Sequence, residues 1–195
     1  METFFYQNKE YFFLHIPKTG GSMWRHMFAD VIPVTKKKHE FLQEKLNAYT
    51  FTIIRNPLDR LVSAFFYLKV GGKNKYDNQA CIKYHLRNIS FNEFVEALYL
   101  DTEHYSYIHF IPMVNRIGDI KFFDRICLYD NLEKETKEMY KIFHNKELEG
   151  NIPIILKSNH NRFNLYYDKK TRKMTESIYE EDICLYETIK KRQQN

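Results

Sequence analysis

Phe12-Phe13-Leu14-His15-Ile16-Pro17-Lys18-Thr19-Gly20-Gly21-Ser22 changes character twice within one short stretch. The apolar, aromatic run over residues 11–16 has the density of a buried strand. Pro17 stops it, Gly20 and Gly21 turn the chain, and Met23, Trp24, Met27, Phe28 and Val31 then follow a helix-like pattern. Strand, glycine turn and helix is the layout that aims backbone N–H groups and a helix start at a phosphate. Lys18 adds a point charge on a flexible stem, and Thr19 and Ser22 add hydroxyl donors. The stretch is a candidate anion cradle. It is not the nucleotide loop G-x-x-x-x-G-K-[ST], because Lys18 precedes both glycines and the Mg²⁺-binding hydroxyl position is missing.

A second strand is expected at Thr50-Phe51-Thr52-Ile53-Ile54, which is β-branched and aromatic throughout. It runs into Arg55-Asn56-Pro57-Leu58-Asp59-Arg60-Leu61-Val62-Ser63. Asn56 suits a helix cap, Pro57 its first position and Asp59 the positive end of its dipole. Leu58, Leu61, Val62 and Phe65 recur at helical spacing. Arg55 is thereby left at the C-terminal edge of a strand, where open α/β sheets bind their ligands. Ser63 lies two turns along the helix.

With both segments in view, the chain resembles the carbohydrate sulfotransferases that use 3′-phosphoadenosine 5′-phosphosulfate (PAPS). Residues 16–22 look like that family's 5′-phosphosulfate loop. Residues 54–63 look like its 3′-phosphate motif, in which an arginine and a serine hold the phosphate that distinguishes PAPS from ATP. His109-Phe110-Ile111-Pro112, Leu128-Tyr129-Asp130-Asn131-Leu132 and Tyr179-Glu180-Glu181-Asp182-Ile183 match further on, so the resemblance spans nearly the whole chain. Met113 departs from it, since relatives usually carry glutamine there. The resemblance implies a P-loop NTPase-like sulfotransferase fold, with PAPS as sulfuryl donor and a carbohydrate or other hydroxylated acceptor. It implies cofactor contacts from Lys18, Thr19, Gly20, Gly21, Ser22, Met23, Arg55 and Ser63, and from Lys157 and Ser158 in a loop that closes on the nucleotide.

Composition bounds the rest. At 195 residues the chain fits a single domain over residues 1–195, and 44% hydrophobic content suits a folded core. The net charge of +5 suits a polyanionic cofactor and is too mild to argue for nucleic acid. Cys81, Cys127 and Cys184 lie far apart and form no CxxC pair, which suits reduced thiols rather than a zinc site. No metal-ligand cluster stands out, and the scheme requires no metal. Met1-Glu2-Thr3 lacks a basic leader region, and no run reaches the ~20 apolar residues of a membrane span. Golgi members of the resembled family carry an anchor and stem, so the expectation here is a minimal catalytic domain in the cytoplasm.

Elsewhere the pattern predicts a third buried strand at residues 126–129 and a helix capped by Asp130. Ser90-Phe91-Asn92-Glu93 has the form of a capping box. A closing amphipathic helix is expected from about Thr175. Residues 32–35 and 152–156 compete for a fourth strand. Residues 69–77, with Gly71 and Gly72, read as a polar loop: a substrate edge or a solvated connection. The expected architecture is α/β, a three-layer sandwich with a mainly parallel central sheet.

Sulfuryl transfer also needs a base. His39 lies between the two motifs, where relatives that modify glycan hydroxyls carry a histidine base, so the resemblance assigns it. A surface histidine beside Lys36-Lys37-Lys38 is the competing reading, and those lysines either steer an anionic sugar or form a solvated face. His15, within a strand, reads as a core residue, and His109 as either an acceptor-cleft or a packing residue. Two other function classes compete with the sulfotransferase reading. A P-loop-like small-molecule kinase would need Walker A order and a Mg²⁺ carboxylate. A catalytically silent nucleotide- or glycan-binding module would not need Lys18, Arg55, Ser63 and His39 together.

Overall fold

The computed structural model describes residues 2–7, 9–29, 47–150, 152 and 161–194. The first elements are β1 (Glu2–Tyr6), β2 (Lys9–Leu14), α1 (Gly21–Met27), β3 (Tyr49–Ile54) and α2 (Pro57–Lys69). They are followed by α3 (Lys75–Lys83), α4 (Phe91–Leu100), α5 (Val114–Ile117), β4 (Arg125–Leu128) and α6 (Leu132–His144). Helices α7 (Lys169–Ile178) and α8 (Glu180–Gln194) close the chain. The chain divides into two compact units.

The first unit comprises Met1–Arg55, Met113–Lys157 and Thr188–Asn195, and it holds the sheet. Strand order is β1-β2-β3-β4. The three parallel strands pair Phe13 with Phe51, and Phe51 with Arg125. Tyr11, Phe13, Phe51, Ile53 and Cys127 pack with Trp24 and Phe28 of the α1 segment and with Met139 and Phe143 of α6. The intervening residues Phe12, Leu14, Thr50, Thr52 and Ile54 are buried as well. Strands buried on both faces are dense in apolar and β-branched residues, which is why β2 and β3 are recognisable from sequence. The fold is α/β with a parallel core, as expected.

Two polar ties join the helices of this unit to one another and to the sheet. Trp24 Nε1 donates to Thr136 Oγ1 at 2.9 Å, so the indole N–H is satisfied inside the core and α1 is held to α6. Arg125 donates twice to Glu135, and Gln193 Nε2 donates to the other carboxylate oxygen of Glu135 and to the Ile126 carbonyl. The last turn of α8 is thereby fastened to β4 and α6.

The remaining strand of the sheet was not anticipated. It is β1, paired antiparallel to β2 from Glu2 opposite Phe13 to Tyr6 opposite Lys9. Glu2 to Tyr6 is a short segment, and no glycine marks the reversal before Lys9, so hairpin signals are weak there. Of the stretches expected instead, residues 32–35 and 153–156 lie outside the described residues, and Ile152 is not in a strand.

The second unit, Asn56–Pro112 and Ser158–Glu187, is helical in its described part. Its core brings together Leu61, Phe65 and Leu68 of α2, Phe94 and Leu98 of α4, Phe110 and Tyr179. Asn56 accepts from the N–H groups of Leu58 and Asp59, with Pro57 at the first position of α2, as expected. Ser90 and Glu93 form their capping box. Three boundaries differ from expectation. Tyr129–Asn131 is a 3-10 turn, so α6 starts at Leu132 and Asp130 is not its cap. The closing helix is two helices, α7 capped by Asp168 and α8, which begins beyond Tyr179. Tyr179 is buried and donates its hydroxyl to the Phe110 carbonyl.

The third difference is in residues 69–77. Asn74 caps α3, and Asp77, inside that helix, is only 2% exposed. Its carboxylate accepts from Tyr67 and Tyr107 hydroxyls at 2.6 and 2.7 Å, from Asn74 Nδ2 at 2.7 Å and from the Lys73 N–H, and pairs with His109 Nε2 at 3.4 Å. Burial pushes the Asp77 carboxyl up. The hydrogen bonds from His109, Tyr67, Tyr107 and Lys73 outweigh it and hold the group well below the usual carboxylate range. Burial and the bond to Asp77 push both phenols up.

A depressed folded-state pKa contributes stability above the unfolded value, lost as pH falls through the folded one. Asp77→Asn is therefore expected to cost at least about 2 kcal/mol at pH 7, since hydrogen bonds to a charged group are worth ~1.5–3 kcal/mol each. Urea melts of both proteins should show that gap unchanged from pH 7 to 5 and shrinking only in stronger acid. An equal stability at pH 7 would contradict the buried-carboxylate account.

Candidate functional site

The candidate site is built at the C-terminal ends of β2, β3 and β4. After Leu14 the chain leaves the sheet through His15, Ile16 and Pro17 and reverses over residues 17–20. Lys18 has φ of +70° and Gly20 has φ of +93°. For a residue with a Cβ, the left-handed region costs about 1–2 kcal/mol, so Lys18 holds its place only because its surroundings fix it. Two such residues so close together make the kind of backbone that gathers N–H groups into an anion-binding concavity.

What fixes the loop is visible. Thr19 is buried and donates its hydroxyl to the Ile16 carbonyl at 2.8 Å, which closes the turn. Arg55, at the end of β3 and 7% exposed, donates from Nη1 to the Lys18 carbonyl at 2.9 Å. Its guanidinium also lies over the Tyr129 ring, 4.1 Å from the centroid. The Arg55 guanidinium thus meets the backbone of the Lys18 turn at the C-terminal end of the parallel strands. Gly21 is required for a different reason: a Cβ there would overlap the His15 ring, whose Nε2 would be 2.8 Å away. His15 is half-buried against this loop rather than a closed core residue.

The other expected site residues fall as follows. Lys18 and Gly20 are half-buried and Ser22 is exposed. Met23 sends its side chain into the core, and its N–H donates to the Gly20 carbonyl at 2.9 Å. Ser63, in the second unit, is 1% exposed on α2. His109, also in that unit, is buried against Asp77 and flanked by the rings of Tyr67 and Tyr107. His39, Lys36, Lys37, Lys38, Lys157 and Ser158 lie outside the described residues. Among the described residues no group of three or more His, Cys, Asp or Glu side chains could hold a metal ion, and no helix is long and apolar enough to cross a membrane.

Two residues were not anticipated. Tyr129 touches the arginine and the glycine turn, although its place at the end of a strand in an α/β sheet was a usable signal. Arg60 is fully buried in the second unit and donates to the Ile111 carbonyl at 3.0 Å, where the sequence pattern alone suggests a solvated helix position.

A lysine on a glycine turn, closed by a buried threonine and tied to an arginine on the neighbouring strand, can bind a phosphate-bearing group and stabilise negative charge on it. No curated protein and no solved structure gives a match. The sulfotransferase family profile matches residues 1–187, nearly the whole chain and all three strand ends that form this edge. The chain belongs to the sulfotransferase family.

Proposed function

We propose that the protein transfers a sulfuryl group from PAPS to a hydroxyl of a carbohydrate acceptor. The observation that supports this most is the bond from Arg55 to the Lys18 carbonyl. It joins the residues that the 5′-phosphosulfate and 3′-phosphate motifs single out. The loop also fits the donor chemically: positive φ at Lys18 and Gly20 suits an anion cradle, and Lys18 and Arg55 supply cations.

PAPS supplies an activated sulfuryl group on a phosphate leaving group. In a loose, in-line transfer the acceptor oxygen forms its bond to sulfur as the bond from sulfur to the 5′-phosphate oxygen breaks, by analogy with phosphoryl transfer. Lys18 stabilises the charge that grows on that leaving oxygen, with the Ser22 hydroxyl and the N–H groups of residues 19–22 in support. Arg55 holds the 3′-phosphate. A guanidinium carries five N–H donors in a planar fork, so a bond to the Lys18 carbonyl and a grip on phosphate are compatible. Ser63 is assigned to the same phosphate from the motif alone, as are Lys157 and Ser158 to the nucleotide. His39 takes the acceptor's proton.

Thermal-shift measurements test the donor. 3′,5′-Diphosphoadenosine should raise the melting temperature and ATP with Mg²⁺ should not; the reverse would favour a kinase. Arg55→Ala should weaken 3′,5′-diphosphoadenosine binding at least about tenfold, because charge-assisted hydrogen bonds are worth ~1.5–3 kcal/mol. Ser63→Ala should weaken it less. The preference over adenosine 5′-monophosphate should shrink with Arg55→Ala, and calorimetry showing it intact would remove Arg55 from the 3′-phosphate.

A further inference from the structure

Tyr129 stands where β4 leaves the sheet, and three observations make it more than a neighbour of the loop. Its ring face carries the Arg55 guanidinium at 4.1 Å. Its ring edge closes on Gly20: a Cβ there would sit 3.2 Å from Cδ2 and 3.3 Å from Cε2 of Tyr129. Through Arg55 Nη1, 2.9 Å from the Lys18 carbonyl, it acts on the left-handed residue of the turn. One ring thus bears on Gly20 directly and on Lys18 through a single intermediary.

The ring is itself well fixed. Tyr129 opens a 3-10 turn, and the Leu132 N–H donates to its carbonyl. Tyr129 and Leu132 both pack against the core of the first unit. Leu132 Cδ2 would meet the same Gly20 Cβ at 3.0 Å, so the glycine turn is seated against a short, rigid wall. Arginine brings a long, rotamer-rich side chain to this edge, and a flat aromatic face restricts it to one plane.

We propose that Tyr129 is a positioning residue for sulfuryl transfer: its ring holds the Arg55 guanidinium and the Gly20 turn in register, and so sets the backbone that carries Lys18. The inference rests on the PAPS reading above. It requires the ring and not the hydroxyl, since both contacts are made by ring carbons or the ring face.

The test is a double-mutant cycle on the full-length protein with Tyr129→Leu, Tyr129→Phe and Arg55→Ala. It is read by steady-state turnover with PAPS and by calorimetry with 3′,5′-diphosphoadenosine. Tyr129→Leu should lower turnover about 10- to 100-fold, weaken the nucleotide about tenfold and reduce its preference over adenosine 5′-monophosphate. Tyr129→Phe should restore all three. Added to Arg55→Ala, Tyr129→Leu should weaken the nucleotide by less than about threefold more, because groups that act through one another are not additive. Full additivity, or a Tyr129→Leu protein with normal turnover and preference, overturns the inference while leaving the PAPS reading in place. A wild type that neither binds the nucleotide nor uses PAPS overturns both. Should Tyr129→Leu not fold, Tyr129→Met removes the aromatic face at similar volume and carries the same expectations.

Discussion

Lys18→Ala is expected to lower turnover on the order of 10²-fold or more, with a much smaller loss in affinity for 3′,5′-diphosphoadenosine. The reason lies in when the charge is needed. Bound donor already spreads its negative charge over its phosphates and sulfate, and many groups share it. As the S–O bond breaks, new charge concentrates on one bridging oxygen, and a donor aimed there acts chiefly on the transition state. The positive φ at Lys18, a residue with a Cβ, is a backbone strain of the kind that clusters at functional sites. Single-turnover rates and calorimetric binding on the same two proteins separate the effects. Equal losses in rate and affinity would make Lys18 an anchor of the bound nucleotide. An unchanged rate would remove it from the mechanism.

His39→Ala is expected to lower turnover by ~10²–10⁴-fold, the usual range for a general base, while leaving 3′,5′-diphosphoadenosine binding little changed. A neutral imidazole can accept the acceptor hydroxyl's proton as the new S–O bond forms. Wild-type turnover should therefore rise with pH through the imidazole's titration and then level. The mutant should lack that acid limb. Turnover measured from pH 5 to 9 checks both points, and near-normal activity in the mutant would move the base elsewhere.

The parts of this fold that could be read from sequence share a physical trait: their signals are local. β2 from Tyr11 and β3 from Thr50 are buried on both faces, and their aromatic, aliphatic and β-branched residues announce strands locally. Asn56-Pro57 and Ser90 to Glu93 announce their helices through caps that involve only adjacent residues. The Lys18 loop is legible for the same reason. β1 is harder, because it is a short edge strand with no glycine at its turn. Asp77 is harder still: its burial depends on Tyr107 and His109, about thirty residues away, and nothing near it predicts a carboxylate bearing several hydrogen bonds. Tyr129 belongs to this second kind. Its contacts with Arg55 and Gly20 are made by tertiary structure, and its own sequence context shows only a strand end.

The Arg55–Lys18 bond shows how the two kinds of information combine. The motifs mark each residue separately, and the sheet joins their strands, β2 and β3, side by side in parallel. Parallel neighbours bring their C-terminal ends to the same edge, so residues distant in sequence come within hydrogen-bonding distance. A cation on each of two adjacent ends suits a ligand with anionic groups at both its 5′ and 3′ positions.

The most direct test of the central claim is transfer of label from [³⁵S]PAPS to a panel of glycans by the wild-type protein and by Lys18→Ala. The account predicts labelled product on at least one carbohydrate hydroxyl with the wild type and at least about a hundredfold less with the variant. Labelled product formed equally by both proteins, or no transfer to any carbohydrate by a wild type that binds the donor, would contradict it.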